Sequence, residues 1–121
     1  MAKILVVDDD VISRQILADI VLGEGHAVVE AANGVEALER FEADSPELVI
    51  TDIFMPEKEG LETIKELKRS HPGLKIIAMT GGSAFTSYES LTWAKSCGAA
   101  ETLAKPFDRN EVILVLRKLL S

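Results

Sequence analysis

The sequence predicts an α/β fold, a three-layer sandwich in which helices cover both faces of a parallel five-stranded sheet. Three observations lead there. Short apolar and β-branched runs recur at Ile4–Val7, Ala27–Ala32, Leu48–Thr51, Lys75–Met79 and Glu101–Ala104. Between them lie segments whose apolar residues return at helical spacing. Such alternation in a short chain calls for right-handed crossovers, which put helices on both sides of a sheet. The 121 residues fit one domain, 1–121, without linker, repeat or low-complexity tract.

The first connection is helical because Ile12, Ile16, Leu17, Ile20 and Val21 form one apolar stripe, stopped at Gly23 to Gly25. After the second run, Asn33 followed by Glu36 has the spacing of a capping box, with Val35, Leu38 and Phe41 assigned inward and Ser45-Pro46 as the stop. Leu61, Ile64 and Leu67 mark a third helix ended by Pro72-Gly73. A fourth helix opens somewhere after Gly81-Gly82-Ser83, runs through Tyr88 to Lys95 and stops at Gly98. Asp108 with Glu111 starts a last helix carrying Val112, Leu114, Val115 and Leu119, and Arg117 and Lys118 suit the dipole of its final turn.

Composition narrows the function. The chain is 47% apolar with a formal charge of -7, and its Lys and Arg are dispersed. A general nucleic-acid binder needs them clustered to neutralise phosphates. An acidic surface instead favours protein partners with basic patches. Lys3-Ile4-Leu5-Val6-Val7 is too short for a secretory core, and no apolar stretch is long enough to insert in a membrane, so a cytoplasmic location is expected. The single cysteine, Cys97, has no metal-spaced neighbour and reads as a structural thiol.

In open parallel sheets, ligands bind beyond the carboxyl ends of the strands. Strand one delivers Asp8-Asp9-Asp10 there, strand three Asp52, strand four Thr80 and strand five Lys105, while strand two ends blandly at Ala31-Ala32. Carboxylates converging on one edge raise one another's pKa unless positive charge lies among them. A divalent cation is the natural complement, and an all-oxygen donor set selects Mg²⁺, with Mn²⁺ as the alternative, over Zn²⁺. Phosphoryl transfer fits such a site, because a metal, an ammonium, a hydroxyl and backbone N–H groups can together neutralise the transferred group. Helix capping accounts for one of the three leading acids, and Asp10 is assigned that role. It does not account for two adjacent acids, Asp52 and a lysine meeting at four strand ends.

With these residues in view, the chain resembles the receiver domains of bacterial two-component response regulators. The resemblance is carried by Ile4-Leu5-Val6-Val7-Asp8-Asp9, Thr51-Asp52-Ile53-Phe54-Met55-Pro56 with Gly60, Met79-Thr80-Gly81 and Lys105-Pro106-Phe107, and it covers essentially the whole chain. It implies a flavodoxin-like (βα)5 fold with strand order 2-1-3-4-5. It implies that Asp52 accepts a phosphoryl group from a phosphohistidine on a histidine kinase or histidine phosphotransfer protein. Mg²⁺ would be held by Asp9, Asp52 and the backbone carbonyl of Phe54, with Asp8 assisting, and Lys105 would pair with the phosphoryl group, its bond to Pro106 being cis. Thr80 would then be drawn toward the phosphoryl oxygens, and the surface of the fourth helix, fifth strand and fifth helix would change shape to control a downstream protein target.

Two departures stand out. Receivers usually carry Tyr or Phe three residues before the lysine, whereas this chain has Thr102, and the segment from Gly81 to Thr86 looks enlarged, with Phe85 or Tyr88 as a substitute ring. The missing aromatic keeps a second function in play, a receiver-like protein-binding module that works without phosphorylation. A dehalogenase-type hydrolase also uses an aspartyl phosphate, but it resembles a pattern with an acid two residues beyond the nucleophile, where this chain has Phe54. An enzyme acting on a metabolite is therefore not expected, only phosphotransfer and autodephosphorylation. A flavodoxin-like electron carrier would need a phosphate-cradling loop where this chain has three acids. His26 and His71 lie away from the strand ends and read as solvated or packed, and Trp93 fits core or interface. With Ser121 closing the chain soon after the last helix, a stand-alone or excised receiver is expected.

Overall fold

The computed structural model describes residues 1–53, 60–80, 95–96, 98–105 and 108–120, with the backbone alone for Gly60, Leu61 and Thr80. Five strands, β1 (Lys3–Val7), β2 (Ala27–Ala31), β3 (Leu48–Asp52), β4 (Lys75–Thr80) and β5 (Glu101–Ala104), form one sheet in the order β2-β1-β3-β4-β5. Every pairing is parallel. The helices are α1 (Val11–Gly23), α2 (Gly34–Asp44), α3 (Gly60–Ser70) and a C-terminal helix (Arg109–Leu120). The expected strands are all present, each within one residue of its sequence bounds. The expected fourth helix, with Phe85, Tyr88 and Trp93, falls largely outside the described residues, as does Cys97.

Near-continuous apolar strands have a simple cause here. Successive side chains of a strand point to opposite faces, and both faces are covered. Leu5, Val7, Val49, Ile76 and Ala78 pack with Ala37 and Phe41 of α2 and Ile64 and Leu67 of α3. On the other face, Ile4, Val6, Ile50, Ile77 and Met79 pack with Leu17, Ile20 and Val21 of α1 and with Val112, Leu116 and Leu119 of the C-terminal helix.

Helix phase departs from the expectation at the first turns. Ile12 and Ile16 are 70% and 47% exposed, and the buried face of α1 is Leu17, Ala18, Ile20 and Val21. Val35 and Leu114 are likewise exposed, and Leu116 takes the inward place. Helical spacing defines a stripe but not how far along the helix a neighbour covers it. The capping at Asn33 does form: its Oδ1 accepts from Glu36 N at 2.8 Å, while Glu36 Oε1 accepts from Ala32 N at 3.3 Å. The stop at Ser45 uses a left-handed residue, φ 46°, whose N–H donates to the Phe41 carbonyl.

Sheet register then decides what meets at the carboxyl edge. Val7 pairs with both Ala31 and Thr51, Asp52 with Met79, and Thr80 with Ala104. The ends of β1, β3, β4 and β5 are therefore level, and Asp8, Asp52, Thr80 and Lys105 arrive together. Because β2 and β3 lie on opposite sides of β1, strand order reverses there and opens a crevice at the same edge.

Candidate functional site

Asp8 follows β1 directly and is fully buried. Its backbone N–H extends the sheet by donating to the Ala31 carbonyl at 3.1 Å, which holds the residue in strand direction for one more step. Its Oδ1 accepts from Asp10 N at 2.9 Å, an Asx-type bond that turns the chain into the helix. Asp10 is the N-cap of α1 and accepts from Ile12 N at 3.1 Å and from Ser13 Oγ at 2.9 Å, so it faces the helix rather than the cluster. These bonds to Ser13 and Ile12 hold its carboxyl below the usual range.

Asp52 is the last residue of β3 and 5% exposed. Lys105, one residue beyond β5, stretches past β4, a span of two strand spacings or about 10 Å, to reach it. The Lys105 Nζ donates to Asp52 Oδ2 at 2.7 Å and lies 2.6 Å from Asp8 Oδ2. The second contact is a short ion pair at a fully buried carboxylate, so one ammonium is shared between Asp8 and Asp52. Asp9, exposed, brings a carboxylate oxygen into the same group: ligand atoms of Asp8, Asp9 and Asp52 all lie within 4.8 Å of one another.

The electrostatics of this cluster are unbalanced. Burial pushes the Asp8 carboxyl up, the Lys105 hydrogen bond and charge pull it down, and the net direction is upward. Burial alone would lower the Lys105 ammonium, but its hydrogen bonds to Asp52 and Asp8, reinforced by their charges, carry it above its ordinary value. Among the described residues, three carboxylates face one ammonium. A hard cation fits the donor set: the ligand atoms are all carboxylate oxygens, and the three carboxylates share a single ammonium among the described residues.

Four of the predicted site residues, Asp8, Asp9, Asp52 and Lys105, are thus brought together. Thr80 ends β4 opposite Ala104, one residue before Lys105, with only its backbone described. Phe54 and Pro106 lie outside the described residues. Thr102 sits on β5 opposite Ala78, half-buried. Local sequence does not mark Arg14, yet its Nη1 donates to the Asp8 carbonyl at 2.8 Å and its Nε to Glu30 Oε1 at 3.0 Å. Its partners lie six and sixteen residues away, out of reach of a spacing argument. His26 accepts from Ala2 N at 3.0 Å and His71 packs edge-on against Phe41, so both are packed histidines, remote from the cluster.

The protein-family model of the response regulator receiver domain matches residues 4–117. The chain belongs to this family. The receiver is 37% identical over 117 residues to chemotaxis protein CheY of Thermotoga maritima, covering 96% of this chain and 95% of that protein. It is 38% identical over 118 residues to transcriptional regulatory protein ZraR of Klebsiella oxytoca, covering 98% of this chain but spanning only 26% of that longer relative. The crystal structure of the receiver domain of NtrX from Brucella abortus is similar at a TM-score of 0.90 and 34% identity over 97% of each chain. Receivers of this two-component type interact with histidine kinases and downstream effectors. No helix among the described residues is long and apolar enough to cross a membrane.

Proposed function

We propose that this receiver accepts a phosphoryl group on Asp52 from a phosphohistidine on a histidine kinase or histidine phosphotransfer protein, and that the modification controls a protein target. The observation that carries the reading is the placement of Asp52 at the carboxyl end of β3, 2.7 Å from Lys105 Nζ and within 4.8 Å of Asp8 and Asp9 oxygens. An Asp52 oxygen forms the new O–P bond as the P–N bond of the donor breaks, and the bonding pair leaves with the imidazole nitrogen. Attack by a carboxylate oxygen needs no base. Lys105 stays within reach of the phosphoryl oxygens and offsets their charge, and buried flanking strands limit the water that would hydrolyse the acyl phosphate. Asp8, Asp9 and Asp52, with the Phe54 carbonyl, would hold Mg²⁺, or Mn²⁺ in its place. The ion supplies neutralisation of the phosphoryl charge and a fixed position for its oxygens.

In this reading Thr80, at the end of β4 beside the Ala104-Lys105 step, turns its hydroxyl toward the phosphoryl group. The displacement passes to the surface of the fourth helix, β5 and the C-terminal helix. The chain is then a cytoplasmic switch whose chemistry is confined to its own phosphorylation and dephosphorylation, rather than a metabolic enzyme. Addition of acetyl phosphate or beryllofluoride with Mg²⁺ is expected to move backbone NMR resonances around Asp52, Thr80 and Thr102. The shifts should need Mg²⁺ and vanish in Asp52→Asn. A folded wild type that does not respond would refute the reading and leave the phosphorylation-independent binding module in its place.

A further inference from the structure

Asp9 poses a problem that the rest of the cluster does not. It is exposed, its carboxylate has no hydrogen bond or ion pair among the described residues, and it lies within 4.8 Å of two like charges. Repulsion should swing it toward water. Its side chain is directed by the backbone, and the plane of the Asp8–Asp9 peptide sets where the Asp9 Cβ points. Two groups grip that region: Asp10 N donates to Asp8 Oδ1 at 2.9 Å, and Arg14 Nη1 donates to the Asp8 carbonyl at 2.8 Å. Arg14 is itself held, since its Nε donates to Glu30 Oε1 at 3.0 Å and its side chain is only 18% exposed. Glu30 stands on β2 opposite Val6, two residues before Asp8. Strand two, which brings no reactive group to the edge, is tied to the site through this pair.

We infer that Arg14, oriented by Glu30, is a positioning residue that locks the Asp8–Asp9 peptide and so presents Asp9 to the cation. The inference rests on the proposed Mg²⁺-dependent switch. Its sign separates it from simple electrostatics. A guanidinium near a cation site repels the cation, so loss of its charge should tighten Mg²⁺ binding, whereas loss of the grip should weaken it. A lysine in its place keeps the charge but lacks the planar fork that reaches two acceptors in fixed directions.

The test titrates the unphosphorylated chain with MgCl₂, following backbone NMR shifts at Asp9 and Asp52, together with melting curves recorded without Mg²⁺. Arg14→Met and Arg14→Lys are each expected to weaken Mg²⁺ binding roughly tenfold, as outer-shell partners of metal ligands do. Glu30→Gln, which keeps an acceptor at an exposed position, should weaken it less. Melting temperatures without Mg²⁺ should differ little from wild type among folded variants. Should Arg14→Met not fold, Arg14→Lys and Glu30→Gln carry the test. Wild-type or tighter binding by a folded Arg14 variant overturns the inference while leaving the proposed switch standing. A wild type that shows no Mg²⁺-dependent shifts removes both.

Discussion

Asp8 is the residue at which folding and function pull in opposite directions. Its folded pKa lies above the ordinary value, with burial as the first cause. The folded state therefore binds this proton more tightly than the unfolded chain does, and ionised Asp8 costs stability at neutral pH. Asp8→Asn keeps an acceptor for Asp10 N, so in the absence of divalent cations it should raise unfolding stability by about 1 kcal/mol. The same variant should lose most of the stabilisation expected of Mg²⁺ in the wild type, and chemical denaturation with and without Mg²⁺ checks both. A wild type already more stable than Asp8→Asn without Mg²⁺ would contradict the argument. Protons compete for the same oxygens, so Mg²⁺ affinity should fall as pH drops through the raised Asp8 value. At Lys105 and Asp10, by contrast, the fold favours the charged form, and the two lose their contributions at opposite ends of the pH scale. The Lys105 contribution is present below the unfolded lysine value, about 10.4, and is lost as alkaline pH passes its raised folded value. The Asp10 contribution is present above about 3.9 and is lost as pH falls through its lowered one.

At the scale of elements, the turn before β5 offers the sharpest prediction. Gly98 adopts φ +119°, and a Cβ there would meet Lys68 Cγ of α3 at 2.8 Å. That lysine is occupied, its Nζ donating to the Pro72 carbonyl at 2.6 Å and to Leu74 at 3.0 Å, which ties the end of α3 to the start of β4. Gly98→Ala should therefore cost about 1–3 kcal/mol through backbone strain and loosen the Lys68 tie as well. Gly73→Ala, at a position with open space and no positive φ, should be close to neutral. Urea midpoints for the pair measure this, and equal losses at the two sites would refute it. Capping was legible from sequence at Asn33 and at Asp108, whose Oδ1 accepts from Asn110 N at 3.0 Å, because it acts over three residues or fewer. The exposed faces of α1 and the C-terminal helix were not. Spacing places Ile12 and Leu114 on an apolar stripe, but whether a strand lies opposite depends on where each helix lands.

For the whole molecule, the acid cluster joins the ends of β1 and β3 and is closed by Lys105 just beyond β5, so a cation bound there would stabilise the assembled sheet rather than one loop. A ligand that binds only the folded state adds roughly 2.7 kcal/mol at a hundredfold excess over Kd. Thermal melts should therefore rise more with MgCl₂ than with NaCl at matched ionic strength, and the excess should vanish in Asp52→Asn. A rise of equal size with both salts would mean only screening of the -7 net charge.

Five apolar runs separated by helical spacing determine the α/β class, and reactive groups at run ends determine which edge carries the chemistry. Both are local properties, readable from periodicity and from the residue that follows each run. The resemblance of four short motifs added the strand order and the roles proposed for Asp52, Thr80 and Lys105. Tertiary structure decided which of these groups touch. Level strand ends bring Asp8, Asp9 and Asp52 within 4.8 Å, and a lysine 53 residues from Asp52 closes the gap. It also decided that Arg14 grips the Asp8 carbonyl while Glu30 holds Arg14. Those contacts join residues whose separation in sequence carries no information about their distance in space, because sheet register and helix docking set that distance and neither is written in any local window.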